Sequence, residues 1–309
     1  MATGPTTIDT VLTSVSEAYT NDTSSFIAEQ LFPVIPTDQR SGKYWAYNKD
    51  NLRVPSSTLR TGRSKTHEAT FGRELKDWGP LNEHALKDFI SVDEYKFTDN
   101  PLNPETDLVN FLNEQMLIAQ EKDLADVLSD TSVITHNSSP SSAWDTDNGD
   151  PFADIVTAIK AQKGSAMKMP NTLSFGWDVW MGLINNPAVK ARLGANRDVV
   201  VTKELLLALF APYGIKTILV GDVTINDANE GASDSLASVW GKDALLSYVT
   251  PTPGLRTLNG GYTFRLNGGK YVDRWDDADP KGTWIRSNDY YDQFMFNSDM
   301  FYLLEDVVG

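Results

Sequence analysis

The chain has 309 residues, 40% of them hydrophobic, with no cysteine and a formal net charge of −15. Such a length buries an ample core in one elaborated domain or two smaller ones, and the lack of cysteine excludes a disulfide framework, a thiolate metal site and a cysteine nucleophile. The acidic balance weighs against tight nucleic-acid binding through phosphate contacts; no apolar run reaches the ~20 residues of a membrane span, and MATGPTTIDT lacks the basic and apolar regions of a signal peptide.

The charge is unevenly placed. Residues 1–39 hold no Lys or Arg, and their acids are Asp9, Glu17, Asp22, Glu29 and Asp38. Residues 40–76 hold Arg40, Lys43, Lys49, Arg53, Arg60, Arg63, Lys65, Arg73 and Lys76 against Asp50, Glu68 and Glu74, so this segment is +6 and the rest of the chain −21. A cationic arm on an anionic chain has another copy of the same protein as its obvious partner.

In chain order, the first 25 residues are rich in Thr, Ser and Asp, with a weak helical pattern at Ile8, Val11, Leu12, Val15 and Tyr19. They read as an arm that becomes ordered by lying on something else. Phe26, Ile27, Leu31, Phe32, Val34 and Ile35 then form an apolar cluster bounded by Pro33 and Pro36. From Gly42, Tyr44 and Ala46 alternate with Trp45 and Tyr47, a strand with both faces in contact with protein. A polar, turn-rich tip follows, and a return strand from about Arg73 to Phe89 completes a long two-stranded arm that is marginal in water alone.

Asn103 to Asp130 predicts one long helix. Asn103 suits the N-cap, Pro104 the first helical position, and Glu105 and Asp107 the positive end of the dipole. Leu108, Phe111, Leu112, Gln115, Ile118, Ala119, Ala125 and Leu128 form the expected packing stripe; Glu114, Glu121, Asp123, Asp126 and Asp130 form the expected anionic face. After a Ser/Asn/Asp loop, Asp150-Pro151 opens a second amphipathic helix. A strand is expected at Leu173–Phe175, helices at Gly176–Ile184, from Asn186-Pro187 to Leu193 and from Thr202 through Phe210, then strands at Ile215–Val220 and Leu245–Val249 around a flexible loop from Asp222 to Ser238. The remainder reads as strands at Tyr262–Leu266, Lys270–Trp275, Thr283–Ser287 and Met300–Asp306.

Catalytic signatures are missing. His67, His84 and His136 have no ligand spacing, and no GxSxG, GxxxxGK[ST] or strand-linked GxGxxG occurs. Asp145, Asp147, Asn148 and Asp150 begin like a calcium loop, but Gly149 takes a ligand position and Val156 stands where Glu is needed. Asp273, Asp276, Asp277 and Asp279 read more simply as a solvated turn than as a hard-cation site, and Trp177 and Trp180 as core. No cofactor and no metal are expected.

The stretch FIAEQLFPVIPTDQRSGKYWAYNKDNLR, Phe26 to Arg53, resembles the N-terminal signature of major capsid proteins of tailed bacteriophages with the Hong Kong 97 fold. Glu114 to Leu128 resembles that family's spine helix, and Val199 to Asp227 with Ser238 to Leu255 its axial domain. The resemblance implies an α+β fold: an N-terminal arm (1–35), an extended loop (36–88), a peripheral domain (89–165) with the spine helix at 104–130, an axial domain (166–254) and a β-rich return (255–309). It implies no enzyme but a subunit that forms hexamers and pentamers of an icosahedral head around double-stranded DNA, without sequence-specific binding and without a membrane. Expected partners are a separate scaffolding protein and a portal, with a decoration protein as an optional third; the expected setting is the virion, assembled in the host bacterial cytoplasm. The nine basic residues of 40–76 would then form the inter-subunit interface, and Asp9, Glu17, Asp22, Glu114, Glu121, Asp123 and Asp126 the acidic counter-surface. Lys49 and Lys65 lie where some relatives form an isopeptide, with no motif here fixing a partner. Competing readings are an encapsulin-like compartment shell and a soluble metal-dependent hydrolase using the Asp273 to Asp279 cluster.

Overall fold

The computed structural model describes residues 7–18, 25–47, 49–69, 71–97, 103–194, 200–229, 231–254, 257–279 and 281–309. A short strand, β1 (Thr7–Ile8), leads into α1 (Thr10–Ala18), whose first amides Val11 and Leu12 donate to Asp9 Oδ1 at 3.0 and 3.1 Å. Next come α2 (Ala28–Leu31), β2 (Val34–Thr37) and β3 (Gly42–Tyr47), then β4 (Arg73–Trp78) and β5 (Asn82–Ser91). The expected single return strand is thus two strands. Between them Gly79 has φ +90°, and a Cβ there would lie 2.5 Å from the Arg40 carbonyl oxygen, so only glycine makes this corner.

α3 (Val92–Phe97) precedes α4 (Pro104–Leu128), which starts as its sequence predicts, with Asn103 accepting from the Glu105 amide at 3.2 Å. The packed stripe differs from the expected one. Val109, Leu112, Asn113, Met116, Gln120, Glu121, Leu124, Ala125 and Leu128 are buried, while Phe111, Gln115 and Ala119 are exposed. The polar members face partners on other elements: Asn113 Oδ1 accepts from Ser16 at 2.9 Å and Ser287 at 3.0 Å.

The chain continues through β6 (Asn137–Ser138), α5 (Pro151–Ser165), β7 (Thr172–Gly176), α6 (Trp177–Asn185), α7 (Pro187–Gly194), α8 (Lys203–Phe210) and β8 (Thr217–Gly221). The stretch expected as a flexible loop contains a small hairpin, β9 (Thr224–Asn226) with β10 (Leu236–Ser238). Last come β11 (Ala244–Ser247), β12 (Gly261–Leu266), β13 (Tyr271–Asp277), β14 (Gly282–Met295) and β15 (Phe301–Leu304).

Two sheets organise these elements. In the first, β14 lies between β5 on one side and β13 with β12 on the other; β1 adds to β13 and β2 adds parallel to β12. α1 and α4 cover one face, burying Leu12, Val109, Ile90, Val272 and Ile285 together. The second sheet has the order β6-β15-β11-β7-β8, with α5 to α8 around Leu173, Phe175, Leu206, Phe210 and Leu246. A third cluster joins the halves: Ile27, Leu31 and Phe32 of the arm meet Leu124 and Leu128 of α4, Trp240, and Phe301 of the second sheet.

Candidate assembly surface

β3 and β4 pair from Gly42↔Trp78 to Tyr47↔Arg73, as a hairpin that stands on the body by its root. Tyr44 stacks on Phe296 with ring centroids 3.7 Å apart, and Trp78 on Phe264 at 4.3 Å. Among the described side chains of β3, Tyr44 on one face is buried. Trp45 on the other face is covered by the Arg73 guanidinium 4.2 Å above its ring, which replaces the expected two-sided contact. Beyond the root the chain runs out irregularly through Val54, 89% exposed, and Leu59, 72% exposed, to a turn in which the Ser64 amide donates to the Thr61 carbonyl.

The structure sorts the nine basic residues of this segment. Arg40 lies over Tyr290, Lys43 pairs with Asp77 at 3.5 Å, Arg53 with Asp50 at 2.9 Å and Lys76 with Glu74 at 3.8 Å. Lys49 reaches across to the body, 2.7 Å from Asp299. Burial opposes ionisation of Asp299, but Lys49 and His136, 3.0 Å away, together hold its carboxyl below the usual range. Under this contact lies a cleft of about 450 Å³ lined by Lys49, Glu74, Lys76, Met167 and Asp299. Arg60, Arg63 and Lys65 remain exposed at the tip without an ion pair among the described residues, Arg60 Nε donating only to the Ser64 carbonyl.

Of the expected acidic counter-surface, Asp9, Glu121 and Asp126 are engaged within the subunit. Glu121 is a correction: it is 1% exposed, accepting from the Ile27 amide at 2.9 Å, the Ala28 amide at 2.8 Å and the Trp240 indole at 2.6 Å. Burial pushes its carboxyl above the ordinary value, and the three N–H donors pull it back. Asp9 caps α1 and lies 3.3 Å from Arg274. Asp126 pairs with Lys122 at 2.7 Å, Asp123 is exposed on α4 and Glu114 is half-buried. The Glu17 side chain and Asp22 fall outside the described residues.

The other candidates do not converge on chemistry. Asp273 is buried against the Arg286 guanidinium and Asn288, Asp276 accepts from Thr283, and Asp277 from the Trp284 indole. Asp150 caps α5 and pairs with Arg192. Among the described residues no group of three His, Asp or Glu is placed to hold a metal ion, and no helix is long and apolar enough to cross a membrane. Trp180 packs near Phe175, but Trp177, expected in the core, is 49% exposed.

No family model matches the chain. It is 25% identical to the major capsid protein of Burkholderia phage BcepMu over 98% of this chain and 97% of that one, and 25% identical to the major capsid protein of Pseudomonas phage JBD67 over the full length of both. Among solved structures it resembles a phage-related protein from Bordetella bronchiseptica RB50 (TM-score 0.73, 24% identity, 98% and 99% of the two chains) and the capsid of cyanophage P-SCSP1u (TM-score 0.56, 10% identity, 93% and 90%). The fold is therefore an α+β phage-capsid fold of the Hong Kong 97 type. The chain is a phage major capsid protein.

Proposed function

We propose that copies of this chain close into the icosahedral head of a tailed bacteriophage around double-stranded DNA, as hexamers and pentamers. The observation that carries this reading is the end-to-end match to two phage major capsid proteins. The geometry supports it: the distal hairpin presents exposed Val54 and Leu59 beside unpaired Arg60, Arg63 and Lys65, a surface with no counterpart among the described residues of its own subunit. The hairpin of one subunit lies on its neighbour, each exposed ion pair contributing about 0–1 kcal/mol and the closed shell summing many weak contacts. The net negative charge lets enclosed DNA slide along the wall. A scaffolding protein guides assembly in the host bacterial cytoplasm, a portal occupies one vertex, and function resides in interfaces with no catalytic centre.

Electron microscopy of the purified protein tests the reading. Closed particles tens of nanometres across are expected; a folded monomer at every concentration refutes it. Particles enclosing a protein cargo in place of DNA favour a compartment shell.

A further inference from the structure

Among the described residues the long β5 strand has a paired neighbour on one side. Its ten residues pair with β14 from Gly282↔Ser91 to Tyr291↔Asn82, and no strand among the described residues pairs with its other edge. Most of its residues from Asn82 to Asp88 are exposed, so a row of backbone donors and acceptors about 20 Å long faces outward there. Soluble chains blunt such an edge with charged side chains, prolines, bulges or a covering element; β5 carries Glu83, Lys87 and Asp88 but no proline, so its backbone can still pair with a strand of fitting charge.

The edge is anionic. Glu83, Asp88 and, at the start of α3, Asp93 are exposed, and none forms an ion pair among the described residues. With Glu94, Lys87 and Lys96, the stretch 82–97 is net −2, and the hairpin tip 53–69, with Arg53, Arg60, Arg63 and Lys65 against Glu68, is net +3. Within the tip, Ser56–Arg60 contains no proline and no glycine, has no regular secondary structure and carries exposed Leu59.

We propose, resting on the shell reading above, that the free edge of β5 receives Ser56–Arg60 from a second copy of this chain as an added strand. Backbone hydrogen bonds supply the affinity, and the Arg60, Arg63 and Lys65 charges, set against Glu83, Asp88 and Asp93, fix the approach. This moves the counter-surface for the tip from the α4 face to the β5 edge.

The chain has no cysteine, so single cysteines report proximity cleanly. Thr58→Cys subunits are mixed with Ala85→Cys, Lys87→Cys or Asp123→Cys subunits, assembled and oxidised. Disulfide-linked dimers between Thr58→Cys and the β5 variants are expected, with those to Asp123→Cys at least ten-fold fewer. Particles in which Thr58→Cys joins only Asp123→Cys overturn the inference and leave the shell reading standing; a wild-type chain that stays monomeric overturns both. Hydrogen exchange on the unsubstituted protein is a second reading: β5 amides gain at least ten-fold protection on assembly, and unchanged exchange there overturns the added strand.

Discussion

The indole of Trp240 donates a 2.6 Å hydrogen bond to Glu121, a residue 119 positions earlier in the chain. The same carboxylate holds the Ile27 and Ala28 amides at the start of α2. One side chain of α4 thus ties the N-terminal arm to the region that carries the second sheet.

Glu121→Gln puts an amide N–H against one of three N–H donors. A loss of about 1–3 kcal/mol is expected, since a buried donor is left without an acceptor. Urea unfolding measures it, and an unchanged midpoint contradicts the tie. The sign with pH is fixed by burial: because the folded carboxyl sits above its ordinary value of 4.5, the stability it contributes falls as pH rises through the folded value. Glu121→Gln should flatten that dependence.

Asp299 has the opposite sign. Its carboxyl is held below 3.8, so the stability it contributes is present above that value and lost as pH falls through the lower, folded one. Lys49→Ala should cost under about 1 kcal/mol at pH 7, as Lys49 is half exposed, and less at pH 2. Urea midpoints of both proteins at the two pH values decide; an equal deficit at both would place the effect in packing.

Trp78→Ala removes the ring stacked on Phe264 and should release the hairpin root at a cost of about 3–5 kcal/mol of local packing. Limited proteolysis should then cut between Leu52 and Gly72 faster while the two sheets survive. Cleavage at the wild-type rate would mean that Tyr44 on Phe296 alone holds the root.

Local signals in the sequence were reliable where they acted locally. Asn103 and Pro104 fixed the start of α4, Asp150 that of α5 and Thr202 that of α8. Burial of polar residues was not legible, because Asn113 and Glu121 are satisfied by Ser16, Ser287, Ile27 and Trp240, far away in sequence. β14 extends well past the expected Thr283–Ser287 through Asn288, Asp289 and Asp292, poor strand formers held by pairing, Asn288 and Asp289 with β5 and Asp292 with β12. The corner at Gly79 depends on the approach of Arg40, which no local pattern announces. The cationic character of residues 40–76 was visible in composition, but which charges stay unspent was not, since that follows from Asp77, Asp299 and Tyr290 arriving beside them.

The decisive measurement is sedimentation velocity on the wild type and on Arg60→Glu, Arg63→Glu, Lys65→Glu in one chain, at low and high salt. Wild-type protein should sediment as closed particles, less completely as salt screens the tip charges. The triple variant should sediment as a small, folded species with an unchanged unfolding midpoint. Equal particle yield from both proteins would contradict a hairpin whose counter-charge lies on another copy.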